Sequence, residues 1–180
     1  MLIFVQRFSI YALLAVMLLQ LSGCGFHLRG LGSTGALPFK SAQIQADSNV
    51  REELVLALKR QLNSVQVEVL DNQTAEVQIL LMPTQYQASR TSTRLGDATS
   101  QLLKMTQSFQ VINLTSGEKI ISGSSEVYRD RQINTAVALA SDNELRTIQK
   151  SMSEELARQI LDRVARALRN ADKVTSKAKE

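Results

Sequence analysis

A long run of apolar side chains at helical spacing, near the C-terminal end of the chain, limits the folds that are possible. The apolar positions follow one another at steps of three or four: Leu145, Ile148, Met152, Leu156, Ile160, Val164 and Leu168. This spacing predicts a helix about 40 Å long with one apolar face. Ser141 and Glu144 predict a capping box at its start. A helix of this kind has to pack its apolar face against a second layer.

Shorter segments of alternating residues predict that the second layer is a sheet. Residues 41–46 form a first predicted strand, and a helix follows from Asn49, its predicted N-cap, to Asn63. Further strands are predicted at 65–69, 77–81, 85–93, 103–111 and 119–129. Ser116 and Gly117 predict the turn that joins the last two strands in a hairpin.

The order of these elements predicts an α+β fold. We expect a two-layer sandwich, with two helices packed on one face of a mainly antiparallel sheet of about four to five strands. The other face is predicted to be polar, since Lys104, Thr106, Ser108 and Gln110 alternate with apolar residues. One domain is expected over residues 39–170, followed by a disordered polar tail over residues 171–180.

The N-terminal residues predict export and lipidation. Residues 1–23 contain an apolar run from Ile10 to Leu19, which is shorter than the ~20 residues of a bilayer span and fits the core of a removable signal peptide. Residues 21–24, Leu-Ser-Gly-Cys, match the bacterial lipobox. We therefore expect cleavage before Cys24, a diacylglyceryl group on its thiol and an acyl chain on its new amine. Residues 24–38 are Gly-rich and are predicted to be a lipidated tether.

Composition argues against several functions. The chain has 21 basic and 17 acidic residues, the basic ones are scattered, and there is no Trp, so nucleic-acid binding is not expected. Cys24 is the one cysteine and His27 the one histidine, which leaves little for a metal site or a Ser-His-Asp arrangement. A small envelope hydrolase stays an alternative, although Asp71, Asp142 and Glu144 look like turn and cap residues.

Three segments resemble one known family. The segments are Cys24–Gly30 (CGFHLRG), Leu37–Pro38 and Ala138–Glu144 (ALASDNE), and together they are similar to the lipopolysaccharide-assembly lipoproteins called LptE. The resemblance implies an anchor in the inner leaflet of the outer membrane, in keeping with Gly25, which under the enterobacterial sorting rule directs a lipoprotein there. It also implies that the protein plugs the LptD barrel, helps it assemble and helps deliver lipopolysaccharide (LPS) to the cell surface. No cofactor is implied beyond the covalent lipid on Cys24.

The resemblance also implies candidate LPS-binding residues. In the family a basic residue followed closely by Gly occupies one turn, and Arg94-Leu95-Gly96 matches it, with Arg90 on the strand before. A second basic position in some members falls just before the Asp-Asn-Glu sequence, where this chain has Ser141. A second phosphate contact would then have to come from Arg129, Arg131 or Lys150. The alternative for each cation is an ordinary solvated surface charge.

The sequence is also compatible with a different role in the cell envelope. A lipoprotein with the same anchor and sandwich could be an accessory subunit of another envelope assembly complex, without LPS binding. Copurification with a large barrel would separate the two readings. The polar sheet face suits the wet lumen of a barrel, but an ordinary solvated face has the same composition.

Overall fold

The computed structural model describes residues 37–71, 74–93, 98–134 and 138–177. These residues form β1 (Ser41–Ala46), α1 (Glu52–Ser64), β2 (Glu68–Val69), β3 (Val77–Leu81), β4 (Gln85–Thr93), β5 (Ala98–Asn113), β6 (Lys119–Asn134) and α2 (Ala138–Lys177). Two helices pack on a single sheet, so the predicted α+β class is confirmed. The predicted signal peptide and most of the predicted tether, Cys24 included, lie outside the described residues.

The sheet is built around β5, which pairs antiparallel with three strands. β6 pairs along nearly its whole length, through residues 98–112 of β5. β3 pairs with residues 109–113 and β4 with residues 99–106, so these two share the other edge of β5. β1 then pairs in parallel with both β3 and β2. The sheet of the described residues therefore has six strands and is mixed, whereas we predicted a mainly antiparallel sheet of about four to five.

Both helices cover the same face of the sheet and close a continuous apolar core. The largest fully buried side chains come from α1, α2, β3 and β5: Leu54, Leu58, Leu62, Ile79, Leu81, Leu103, Met105, Phe109, Met152, Leu156, Ile160 and Leu161. Leu37 and Phe39 join this core before β1 begins. Alternation along β5 puts Leu103, Met105 and Phe109 under the helices, as the sequence predicted.

The start of α1 differs from the prediction. Its N-cap is Arg51, without a side-chain cap, and the Arg51 N–H donates to Thr84 Oγ1 at 3.1 Å. The Asn49 N–H donates to Asp47 Oδ1 at 3.1 Å, which is a turn of the Asx type. The predicted strand over 65–69 is also shortened to β2, because Gln66 has a φ of 63° and the Val67 N–H donates to Leu62 O at 3.0 Å. The end of α1 therefore uses backbone groups that a longer strand would have needed.

The second helix is longer than predicted. α2 has 40 residues, about 60 Å of axial rise, and continues to Lys177. The backbone is therefore helical in residues 171–177, which we predicted to belong to a disordered tail. The described part of the helix contains neither Gly nor Pro, and a helix propagates readily once a packed segment has nucleated it. Neither helix of the described ranges is long and apolar enough to cross a membrane.

Candidate functional site

Basic side chains collect at one end of the sheet, where β4 and β6 end and α2 begins, which we call the distal end. Arg90 of β4 is paired with Gln101 of β5, and Gln101 is paired with Arg131 of β6. The two arginine Cα atoms are therefore two strand spacings apart, about 10 Å. Arg129 lies two residues before Arg131 on the same strand and on the same face. We call Arg90, Arg129 and Arg131 the distal basic cluster.

Arg131 is the unusual member of this cluster because it is buried. It is 7% exposed, and its Nη2 donates to the backbone oxygen and to the hydroxyl of Ser141 on α2. Its Nε is buried and has no hydrogen-bond partner among the described residues. No described carboxylate forms an ion pair with it either. Burying a cation with an unsatisfied donor costs folding free energy, and an anion bound to the donor would offset that cost.

The Arg131 contact also accounts for Ser141. Ser141 lies inside α2 rather than at its N-cap, so the predicted capping box with Glu144 is wrong. Its hydroxyl is instead held by the Arg131 guanidinium. Arg131 of β6 thus places a cation beside Ser141 at the start of α2.

The other predicted site residues fall in different places. Arg90 and Arg129 are exposed, and Arg129 Nη1 donates to Tyr128 O at 2.9 Å. Lys150 is exposed on α2, nine residues after Ser141, which is about 13 Å further along the helix axis, and it stands apart from the cluster. Arg94 lies outside the described residues.

The distal basic cluster has the chemistry of an anion site. Guanidinium groups bind phosphate and carboxylate oxygens through paired hydrogen bonds, most strongly where water is partly excluded. Within the described residues, no group of three or more His, Cys, Asp or Glu side chains could hold a metal ion. The guanidinium groups of the cluster are therefore suited to binding an anion.

A second polar cluster, on the sheet face away from the helices, was missed by the sequence analysis. Lys104 Nζ lies 3.0 Å from Glu126 Oε1 and 5.5 Å from the centre of the Tyr128 ring, and the Tyr128 hydroxyl donates to Glu126 Oε2 at 2.8 Å. Hydrogen bonding to Glu126 raises the pKa of Lys104, and the same bond lowers the pKa of Glu126. The β5–β6 register pairs Lys104 with Tyr128 and Thr106 with Glu126. The hairpin turn alone would not have revealed this cluster, because a bulge between Val111 and Ile112 shifts the register before the two strands reach Lys104.

Comparisons with known proteins agree with this architecture. A family model described as LptE, Lipopolysaccharide-assembly, matches residues 38–164, well over half of the chain. The chain belongs to the LptE family. It is similar to the LPS-assembly lipoprotein LptE of Pectobacterium atrosepticum, with 29% identity over 150 residues that cover 82% of this chain and 80% of that protein. It is also similar to the LptE of Photorhabdus laumondii, with 27% identity over 169 residues, 93% of this chain and 91% of that protein.

Solved structures share the fold. A minor lipoprotein from Acinetobacter baumannii superposes with a TM-score of 0.60 at 20% identity, covering 72% of this chain and 92% of that one. Lipoprotein B from Nitrosomonas europaea superposes with a TM-score of 0.61 at 21% identity, covering 78% and 90%.

Family membership settles the broad function. The protein is a membrane-associated envelope lipoprotein of lipopolysaccharide transport, and it is a non-enzymatic accessory protein. The hydrolase alternative is therefore set aside.

Proposed function

We propose that this LptE-family protein is anchored in the outer membrane through lipid on Cys24, plugs the LptD barrel, and binds a phosphate of LPS at the distal basic cluster while LPS passes to the cell surface. The observation that supports the LPS contact is the burial of Arg131, which is 7% exposed. Among the described residues its guanidinium pairs with no carboxylate and its Nε has no hydrogen-bond partner. LPS carries phosphates beside its acyl chains. A phosphate oxygen is an anionic acceptor that could take the hydrogen bond from the Arg131 guanidinium.

The geometry supports a two-sided contact. Arg90 and Arg129 are exposed and lie on the same sheet face as the buried Arg131, within about two strand spacings. An anion held by Arg131 would therefore meet two further cations at its outer side. Arg94 follows Arg90 within four residues and remains a predicted member of the site.

The polar face of the sheet supports the plug. Gln78 Nε2 donates to Gln43 Oε1 at 3.2 Å and to Gln45 Oε1 at 2.9 Å, and the Lys104–Glu126 cluster continues the polar surface across β5 and β6. Amides and hydroxyls can exchange such bonds for bonds to the inner wall of a barrel at little cost, because each group is already near water.

One experiment tests both parts. Full-length protein is purified from its native membranes in mild detergent, its stoichiometric partners are identified by mass, and the binding of fluorescent LPS is measured. We expect a one-to-one complex with LptD, and LPS binding that falls at least tenfold in the Arg90→Gln/Arg131→Gln variant. Arg158→Gln is the matched control, because Arg158 is an exposed cation that pairs with Glu155 on the same helix.

The possible failures are separable. A different copurifying complex would remove the plug and favour an accessory role in another envelope assembly. Unchanged LPS binding in Arg90→Gln/Arg131→Gln would remove the distal site, and unchanged binding in Arg90→Gln/Arg94→Gln would remove the turn that the resemblance implies. LPS stripped of its phosphates should bind the wild-type protein as weakly as intact LPS binds the variant.

A further inference from the structure

A second basic surface lies at the other end of the domain. Arg131 meets Ser141 at the distal end, and Arg163 Nη1 lies 3.6 Å from the position that a Cβ on Gly123 would take. α2 therefore runs antiparallel to β6, and its C-terminal half lies beside the first residues of β6. Apart from Arg158, which pairs with Glu155, the described side chains of these segments include four exposed cations. Three lie on α2, and Lys119 lies at the start of β6, where its pairing with Ile112 puts it on the sheet face away from α2. We call these four the near-end basic surface: Lys119, Arg163, Arg166 and Arg169.

The charge of α2 is strongly asymmetric along its length. Residues 158–177 contain six basic and two acidic residues, a net charge of +4, whereas residues 138–157 contain two basic and four acidic residues, a net charge of −2. Among the described residues, no ion pair involves Lys119, Arg163, Arg166 or Arg169. Complementing the helix dipole does not explain this, because that effect falls off within the last turn and Arg163 lies fourteen residues before Lys177.

The chain enters the domain at this same end. The Lys40 N–H donates to Glu76 Oε2 at 3.3 Å, and the Leu114 N–H, just after β5, donates to Glu76 O at 2.9 Å. The Asn113 N–H donates to Glu118 O at 2.9 Å, which links this point to the start of β6. The first core residue, Leu37, is thirteen residues after Cys24, a span of at most about 45 Å.

We propose that the near-end basic surface binds the headgroups of anionic phospholipids in the leaflet that holds the anchor. The inference rests on the proposed lipid at Cys24 for its orientation, since that anchor brings this end of the domain to the bilayer. Exposed, unpaired arginine and lysine side chains are attracted to anionic headgroups, by about fivefold in partitioning for each cation near the surface.

The test uses the unlipidated mature chain, residues 24–180 with Cys24→Ser, so that no acyl chain contributes. Every residue of the described core lies at or after Leu37, so this chain retains its complete core. Sedimentation with phosphatidylcholine vesicles, with and without 30% phosphatidylglycerol, is measured at low and at physiological salt. The near-end variant is Lys119→Gln/Arg163→Gln/Arg166→Gln. The distal control has equal charge loss and combines Arg90→Gln and Arg129→Gln of the distal basic cluster with Lys150→Gln on α2.

We expect the wild-type chain to prefer the phosphatidylglycerol vesicles, to lose that preference as salt rises, and to bind at least tenfold more weakly in the near-end variant. The distal control should keep vesicle binding and lose LPS binding, while the near-end variant should keep LPS binding. Equal loss of vesicle binding in both variants would reduce the effect to net charge, and no preference for phosphatidylglycerol would also overturn the proposal. A failure of LPS binding alone would leave it standing and count against the distal site.

Discussion

Replacing Arg131 with Met separates a binding role from a structural one. The change removes the charge and keeps an unbranched side chain in a position that is 7% exposed. The two hydrogen bonds to Ser141 are lost, worth roughly 3 to 6 kcal/mol together for a charged donor. Against this, the buried Nε no longer lacks a partner, which recovers about 1–3 kcal/mol, and the desolvation of an unpaired cation is relieved, which recovers several more. These opposing effects leave the free energy of unfolding within about 2 kcal/mol of the wild-type value.

The same substitution should weaken LPS binding much more. A charge-assisted hydrogen bond to phosphate contributes about 1.5–3 kcal/mol, so Arg131→Met should reduce LPS affinity by ten- to a hundredfold. Urea unfolding followed by circular dichroism and titration with fluorescent LPS measure the two effects on the same protein. Arg158→Met is the control and should change neither by much, because an exposed pair contributes about 0.2–1 kcal/mol. A loss of more than about 3 kcal/mol in stability with unchanged LPS affinity would refute the argument and make Arg131 structural.

Three further predictions concern the scaffold. Phe109→Ala should lower the free energy of unfolding by about 3–5 kcal/mol, because Phe109 is fully buried under α2. The control Leu56→Ala, at a half-exposed position, should lower it far less. Equal losses of the two variants in urea unfolding would contradict the placement of Phe109 in the core. Gly117→Ala should cost about 1–2 kcal/mol because Gly117 has a φ of 71° with nothing within 4 Å of an added Cβ, and a stabilised variant would show that the turn is not strained. Glu126→Gln should lower the pKa of Lys104 towards its usual value, measured by NMR titration of Nζ. Because Glu126 has a lowered pKa in the folded protein, its contribution to stability is present above its ordinary pKa and is lost as the pH falls through the lowered value, so an acid titration unchanged by Glu126→Gln would argue against the Lys104 bond.

Local sequence patterns predicted several strands with their observed bounds. The segments 41–46, 77–81 and 85–93 are strands as expected, because alternation and the neighbouring turn residues act within a few positions. The parallel pairing of β1 with β2 and β3 could not be read in this way, since it joins residues that are separated by a whole helix or by about thirty positions. The helices that cover the strands decide which strands pair. The sequence pattern within one strand does not contain that information.

The site shows the same division between local and distant information. The family resemblance put Arg129 and Arg131 among the candidate cations, but the sequence could not show that Arg131 is buried, because its partner Ser141 belongs to another element. Ser141 followed three residues later by Glu144 has the spacing of a capping box, and a distant guanidinium takes the hydroxyl that the local pattern assigned to the backbone. The β5–β6 register could not be read from the hairpin turn either, because a bulge between Val111 and Ile112 shifts it by one residue, which changes the cations that share a face.

Photo-crosslinking in living cells tests the LPS site most directly. A photoreactive amino acid is placed at position 129, beside Arg131 at the distal end, or at position 60, an exposed cation on α1 that pairs with Glu154. After irradiation, the full-length lipoprotein is recovered and its adducts are stained for LPS. We expect an LPS adduct at position 129 that disappears with Arg131→Met, and none at position 60. No adduct at 129, or equal adducts at both positions, would contradict the proposal that LPS binds at the distal basic cluster.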